Sequence, residues 1–263
     1  MAFARSGERL KSLFSAQDMS KGAPWKRILE FSLPMLIGNL AQQMYNTADS
    51  VIVGYYVGDN ALAAVGSASP ILNLLLALFV GVSTGAGILV AQYYGAREKE
   101  NLSNVIGNCM TLTIIVSAII MIIGPLVTRP LLSLLGTPES IFDWCSDYLI
   151  IYFLGILGFA AYNIFSGILR GLGDSFSALA FLIVATILNI GLDIWFVASF
   201  RMGVAGVALA TIIAQFISAI LCLIKLMHMH DVFVLKAKHL KIRGSYAGKV
   251  IKLGVPSGVT QAI

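Results

Sequence analysis

Two aspartates stand where the surrounding sequence carries no charge. Asp49 interrupts an otherwise uncharged stretch over residues 31–58, and Asp193 interrupts another over 175–200. Within hydrocarbon a carboxylate costs at least about 2.5 kcal/mol, so it faces protein or a water-filled cavity. The plainer alternative is a carboxylate near an interface that touches water. Companion residues favour burial. Asn189 precedes Asp193 by four residues, which places both on one helix face, and Thr211 falls about two turns into the next apolar run. If the runs alternate in direction, Asp49, Asn189, Asp193 and Thr211 lie at comparable depth. Carboxylate, amide and hydroxyl oxygens in one place suit a hard cation such as Na⁺. A proton needs only the carboxyl, and the residues permit either ion.

Other polar groups occupy the same apolar runs. Asn39, Gln42, Gln43 and Asn46 lead to Asp49 at steps of three or four residues, a stripe that lines a cavity or binds neighbouring helices. Tyr162 and Asn163 are further candidates for a cavity wall, Tyr152 is another polar group of their span, and Pro70 is a candidate gating kink. The pairs Gly54/Gly58, Gly81/Gly85 and Gly167/Gly171 have the spacing of close helix packing. No GxGxxG or GxxxxGK[ST] pattern occurs, so no dinucleotide or ATP site is expected. Cys109, Cys145 and Cys222 show no metal or disulfide spacing, and His228 and His230 read as an interfacial cap. No nucleophile–base set is recognisable, so an enzyme is not expected. Neither is a cofactor or resident metal, beyond Na⁺ at the aspartates.

The elements that must position these groups are membrane helices. The chain of 263 residues is 58% hydrophobic and 12% charged, and residues 60–96, 101–128, 148–169 and 202–224 hold no Asp, Glu, Lys or Arg. About 20 such residues cross a bilayer. Six spans are expected at about 28–55, 62–94, 102–127, 141–169, 175–200 and 204–227, separated by turn or charged sequences that include Arg129-Pro130 and residues 171–174. Sixteen of the 18 Lys and Arg residues fall on one side of this arrangement, leaving only Arg129 and Arg201 on the other. The positive-inside rule then makes the N-terminus cytoplasmic in a multi-pass plasma-membrane protein. The net charge of +5 therefore follows membrane topology, and nucleic acid is not an expected partner.

Lys26-Arg27-Ile28-Leu29-Glu30-Phe31-Ser32-Leu33-Pro34 is echoed by Gly248-Lys249-Val250-Ile251-Lys252-Leu253-Gly254-Val255-Pro256. A repeat after an even number of spans is a parallel duplication. The expected organisation is a cytoplasmic tail over 1–27, a transmembrane lobe over 28–229, a cytoplasmic linker over 230–247, and the truncated start of a second lobe over 248–263. A missing C-terminal lobe is thus an expected partner, together with membrane lipid.

These segments resemble the multidrug and toxic compound extrusion (MATE) transporters. The resemblance runs from about Trp25 onward. It is carried by Phe31-Ser32-Leu33-Pro34, Met44-Tyr45-Asn46-Thr47-Ala48-Asp49-Ser50, residues 54–69, and Gly167-Ile168-Leu169-Arg170-Gly171-Leu172-Gly173-Asp174. Leu188-Asn189-Ile190-Gly191-Leu192-Asp193 and residues 203–211 add to it. It implies an all-α fold of twelve spans in two six-helix lobes, of which this chain resembles the first lobe and the start of helix seven. It also implies alternating-access export of organic cations or drugs in exchange for H⁺ or Na⁺. The family's N-lobe cation site carries over onto Asp49, Asn189, Asp193 and Thr211, and the presence of both Asn189 and Asp193 is similar to the DinF-like branch. The alternatives are a lipid-linked saccharide flippase of a related two-lobe plan, a passive channel, and a non-transporting scaffold.

Overall fold

The computed structural model describes residues 24–262, so most of the expected tail over 1–27 lies outside the described residues. The described chain is all α-helical: α1 (Pro24–Tyr56), α2 (Asp59–Gly95), α3 (Lys99–Leu134), α4 (Glu139–Leu154), α5 (Ile156–Gly171), α6 (Ser175–Ile194), α7 (Gly203–Met227) and α8 (Gly244–Ala262). A π-helical turn, Trp195–Ser199, continues α6, and a 3₁₀ turn, Ala237–His239, lies between α7 and α8.

Four helices, α2, α3, α6 with its π turn, and α7, are long and apolar enough to cross a membrane, and the pair α4 and α5 makes a fifth span bent by 53°. Large apolar side chains such as Ile122 (68%) and Leu126 (73%) point outward, which suits lipid as the surrounding solvent. Helix α1 has 33 residues and the length of a span, but its carboxamide stripe leaves it outside that apolar set. The expectation of six spans is therefore met in five by length and composition.

Three boundaries differ from the sequence expectation. Arg129-Pro130 does not separate spans, because α3 runs through Pro125 and Pro130 to Leu134. Away from water, nothing competes for the remaining backbone bonds, so a helix persists through proline. The fourth span is broken at Gly155, where a Cβ would collide with Ile212 of α7; the missing side chain lets the two helices touch at the bend. The last helix starts at Gly244, inside the stretch expected as linker.

Among the described residues the interior forms two large apolar clusters, one at each end of the helices, and a third, smaller one. One joins the end of α1 and the start of α2 to α4 and the start of α7, through Val53, Ala61, Leu149 and Val207. The other joins the end of α2 and the start of α3 to the ends of α5 and α7, through Val90, Ile106, Ile168 and Cys222. Phe79 and Phe159, with ring centroids 6.2 Å apart, belong to a small cluster of their own.

Helix α2 packs closely on two sides. On one, Ser83 and Gly87 meet Gly167 and Gly171 of α5. On the other, Gly81 and Gly85 meet Gly254 and Gly258 of α8, and a Cβ on Gly85 would lie 2.7 Å from the Gly254 nitrogen. Small residues on both helices let the backbones touch where lipid supplies no hydrophobic drive. Gly54/Gly58 is not such a pair: Gly58 has φ 107° and serves the turn between α1 and α2.

The connector from α7 to α8 is strapped along the first three turns of α3. Lys99 Nζ donates to the Asp231 carbonyl (2.7 Å), and Glu100 takes Lys238 (2.7 Å) and faces the buried His239. Asn108 accepts from the Arg243 backbone (2.7 Å) and donates toward the carbonyls of His239 and Lys241, while Thr111 reaches the Leu240 carbonyl (2.8 Å). Glu100, Asn108 and Thr111 are separated by eight and three residues and so share one face of α3.

Gly85→Leu places a branched side chain against the α8 backbone, with an expected cost of about 1–3 kcal/mol from overpacking. Gly66, with open space around it, tolerates the same change. Thermal unfolding in detergent should show a large loss for the first variant and little for the second; equal losses would contradict the tight α2–α8 contact.

Candidate functional site

Helix α1 packs mainly along α6 and brings Asp49 beside the last full turn of that helix. Asn189 and Asp193, both fully buried, project from α6 on one face. Immediately beyond Asp193 the helix widens into its π turn, a local distortion common next to functional groups. Its aromatic residues Trp195, Phe196 and Phe200 cluster together, with Trp195 and Phe200 more than half exposed. Such a grouping suits a membrane interface, which places Asp193 close to one surface of the lobe. Helix α7 adds Thr211, 3% exposed.

The side chains form a chain of contacts. Asn189 Nδ2 donates to Thr211 Oγ1 at 3.4 Å, and Thr211 Oγ1 donates to Asp49 Oδ2 at 3.4 Å. Both bonds are long. The carboxyls of Asp49 and Asp193 are immediate neighbours, and no Lys or Arg is among the groups that influence either. One oxygen of Asp49, one of Asn189 and both of Asp193 are buried without a hydrogen-bond partner among the described residues. Each such atom costs about 1–3 kcal/mol, so a cluster of them is a liability unless something else supplies the missing partner. Two adjacent carboxyls without a basic neighbour cannot both carry charge cheaply. A proton on one of them, or an alkali cation among the oxygens, relieves the repulsion and completes the contacts. Transition-metal chemistry finds no match: among the described residues no group of three or more His, Cys, Asp or Glu is placed to hold a metal.

The structure adds residues that sequence reasoning missed. Tyr45, one turn before Asp49 on α1, is 3% exposed, and its buried hydroxyl lies by Thr211 and Asp49 without a regular hydrogen bond. Tyr148 of α4 also neighbours Asp49, and so does Tyr152, which the sequence marked as a polar group of its span but not as part of this site; their rings are 6.1 Å apart. Gln215, one turn along α7 from Thr211, has a buried unpaired oxygen. The four-residue spacings Tyr45/Asp49 and Thr211/Gln215 are visible in the sequence; the approach of α4 is not.

The remaining expected residues are placed differently. Asn39, Gln43 and Asn46 are exposed along α1 and Gln42 is half-buried, so the stripe follows an open side of the lobe. Tyr162 does not line that side: it is 6% exposed within the packed core beside Cys222 and Arg170. Asn163 is half-buried and donates to the Phe159 carbonyl (2.8 Å), a local helix bond. Pro70 is exposed within an uninterrupted α2.

Asp193→Asn replaces a carboxyl with an amide able to donate to Asp49, and should raise stability by about 1–3 kcal/mol. Thr211→Val removes two long hydrogen bonds and should lower it by about 1 kcal/mol. Thermal unfolding in detergent checks both; a strong loss in Asp193→Asn would show that the carboxyl is satisfied.

Comparison with known proteins gives a consistent picture. The MatE family model matches residues 34–195. The probable multidrug resistance protein YoeA of Bacillus subtilis (strain 168) is 31% identical over 254 residues, covering 94% of this chain and 55% of that protein. The DNA damage-inducible protein F of Escherichia coli (strain K12) is 28% identical, covering 86% and 47%. A multidrug resistance MATE family transporter of the MOP superfamily, solved in an outward-facing conformation, superposes with a TM-score of 0.85 at 29% identity, covering 91% of this chain and 53% of that one. The chain thus spans about half the length of the relatives it matches. With a family match that takes in Asp49, Asn189 and Asp193 and a shared helical architecture, this chain belongs to the MatE family.

Proposed function

We propose that the chain is the N-terminal lobe of a DinF-like secondary antiporter, in which Asp49, Asn189, Asp193 and Thr211 bind the coupling ion, H⁺ or Na⁺. The observation that carries this reading is the pairing of the half-buried Asp49 carboxyl with the fully buried Asp193 carboxyl, without basic neighbours among unpaired oxygens. An ion bound here holds α1, α6 and α7 together, because each helix contributes a ligand. Releasing it restores carboxyl repulsion and loosens α1, which packs chiefly on α6. A change in ion occupancy thereby biases the position of α1, and differential affinity between the two positions is what coupling requires.

In this reading α1 is the sixth span. Asn39, Gln43 and Asn46 on its open side face a cavity closed by a second lobe, since lipid would leave the carboxamides unsatisfied. Helix α8 is the first element of that lobe, with Pro256 inside it as Pro34 is inside α1. The N-terminus and the connector are cytoplasmic by their Lys and Arg content, and the ion site sits in the opposite half. Relatives such as the probable multidrug resistance protein YoeA support drugs as the exported substrates, and organic cations are the class proposed with them.

The reading is tested in vesicles holding the two-lobed protein that includes this lobe. A Na⁺ or pH gradient should drive efflux of a fluorescent organic cation, and Asp49→Asn and Asp193→Asn should each abolish that gradient-driven efflux. Gradient-driven efflux retained in both variants overturns the assignment.

A further inference from the structure

The connector carries a second arrangement that ion coupling does not use. From residue 232 to 263 there are six basic residues and no acidic one. Lys238 is engaged by Glu100 and Lys249 by Tyr93. Lys241 and Arg243 make no side-chain hydrogen bond or ion pair among the described residues. They alternate with Leu240 and Ile242, which are 45% and 46% exposed. The backbone beneath all four is fixed, because Asn108 and Thr111 of α3 bond the carbonyls of Leu240 and Lys241 and the amide of Arg243.

The place where this strap is fixed gives it a meaning. On the connector side of Thr111, α3 buries a polar face that includes Ser103, Asn104 and Asn108. One turn past Thr111 its outward side turns apolar with Ile114 and Ile115, followed by Ile119. The strap therefore borders the point where a lipid-facing surface begins. Apolar side chains next to basic ones at such a border match the two layers of a lipid: acyl carbons below and an anionic headgroup above. A covering protein lobe would have to bury Lys241 and Arg243 as well, at a desolvation cost that lipid phosphate does not impose.

We infer that residues 240–243 are a binding site for the headgroup of an anionic phospholipid. Lys241 and Arg243 contact its phosphate, and Leu240 and Ile242 rest among the first acyl carbons. This extends the membrane reading given above, with the strap at the cytoplasmic surface, and does not depend on which ion is transported.

The test uses the purified chain in phosphatidylcholine nanodiscs, where both faces meet lipid and orientation plays no part. Association of spin-labelled phosphatidylglycerol is compared with that of spin-labelled phosphatidylcholine. The wild type should prefer the anionic lipid, and K241Q/R243Q should reduce that preference by about thirtyfold, given the usual effect of two basic groups at a lipid surface. R129Q/R201Q removes the same charge at the far end and should keep the preference. No preference in the wild type, or equal loss in both double variants, overturns the proposal. Ile242→Cys carrying a bimane label gives a second reading within the folded protein, because Cys109, Cys145 and Cys222 are buried. A nitroxide on the phosphatidylglycerol headgroup should quench the label; an unquenched label means that no anionic headgroup rests on the strap and also overturns the site. Failure of ion-driven efflux would leave these outcomes unchanged, so the two readings fail separately.

Discussion

Two carboxyls side by side, Asp193 fully buried and Asp49 half-buried, cannot both be charged without help, and no lysine or arginine among the described residues stands beside them. Much of the structure around them can be understood as a consequence of that constraint. A site meant only for stability would pair these oxygens internally, with a basic residue or amide donors. Here Thr211 supplies one long hydrogen bond to Asp49, and the oxygens of Asp193 have none. A site that leaves its partner to be supplied from outside is suited to an ion that comes and goes.

Exchange of that kind needs one mobile and one rigid wall. The rigid wall is built from backbone contact: α2 is locked to α5 through Ser83, Gly87, Gly167 and Gly171, and to α8 through facing glycines. The connector is also fixed, to α3, so the start of α8 is positioned relative to the lobe. Helix α1 differs. It touches chiefly α6 and exposes large apolar residues, including Leu40 at 67% and Met44 at 70%, alongside its carboxamides. Asp49 thus sits on the least supported helix, while Asn189, Asp193 and Thr211 sit on better supported ones.

The sequence discloses the chemistry of this site more readily than its surroundings. A charge at membrane depth stands out against an apolar background, and a four-residue step such as Asn189 to Asp193 fixes a common face without knowledge of the fold. Tyr45 was open to the same reasoning, being one turn from Asp49, but an aromatic residue in an apolar helix gives no contrast. Tyr148 and Tyr152 reach Asp49 from α4, a helix remote in sequence whose approach no local spacing encodes. The separator expected at Arg129-Pro130 failed for a related reason: a charge and a proline mark an end in water, whereas α3 continues through both. Tyr162 was expected at the cavity and lies in the core, because its helix presents that face to α7 and α2. The connector looked like a free linker by composition; the α3 side chains that hold it are polar residues at helical spacing, whose partners only the fold reveals.

Whether the Asp49–Asp193 pair takes up an ion is read out by infrared difference spectroscopy on the purified, aspartate-labelled chain. Acidification or addition of Na⁺ should change the carboxyl bands of buried aspartate, and the change should vanish in both Asp49→Asn and Asp193→Asn. Bands that respond to neither ion, or a response that survives in both variants, would contradict an ion site at this pair.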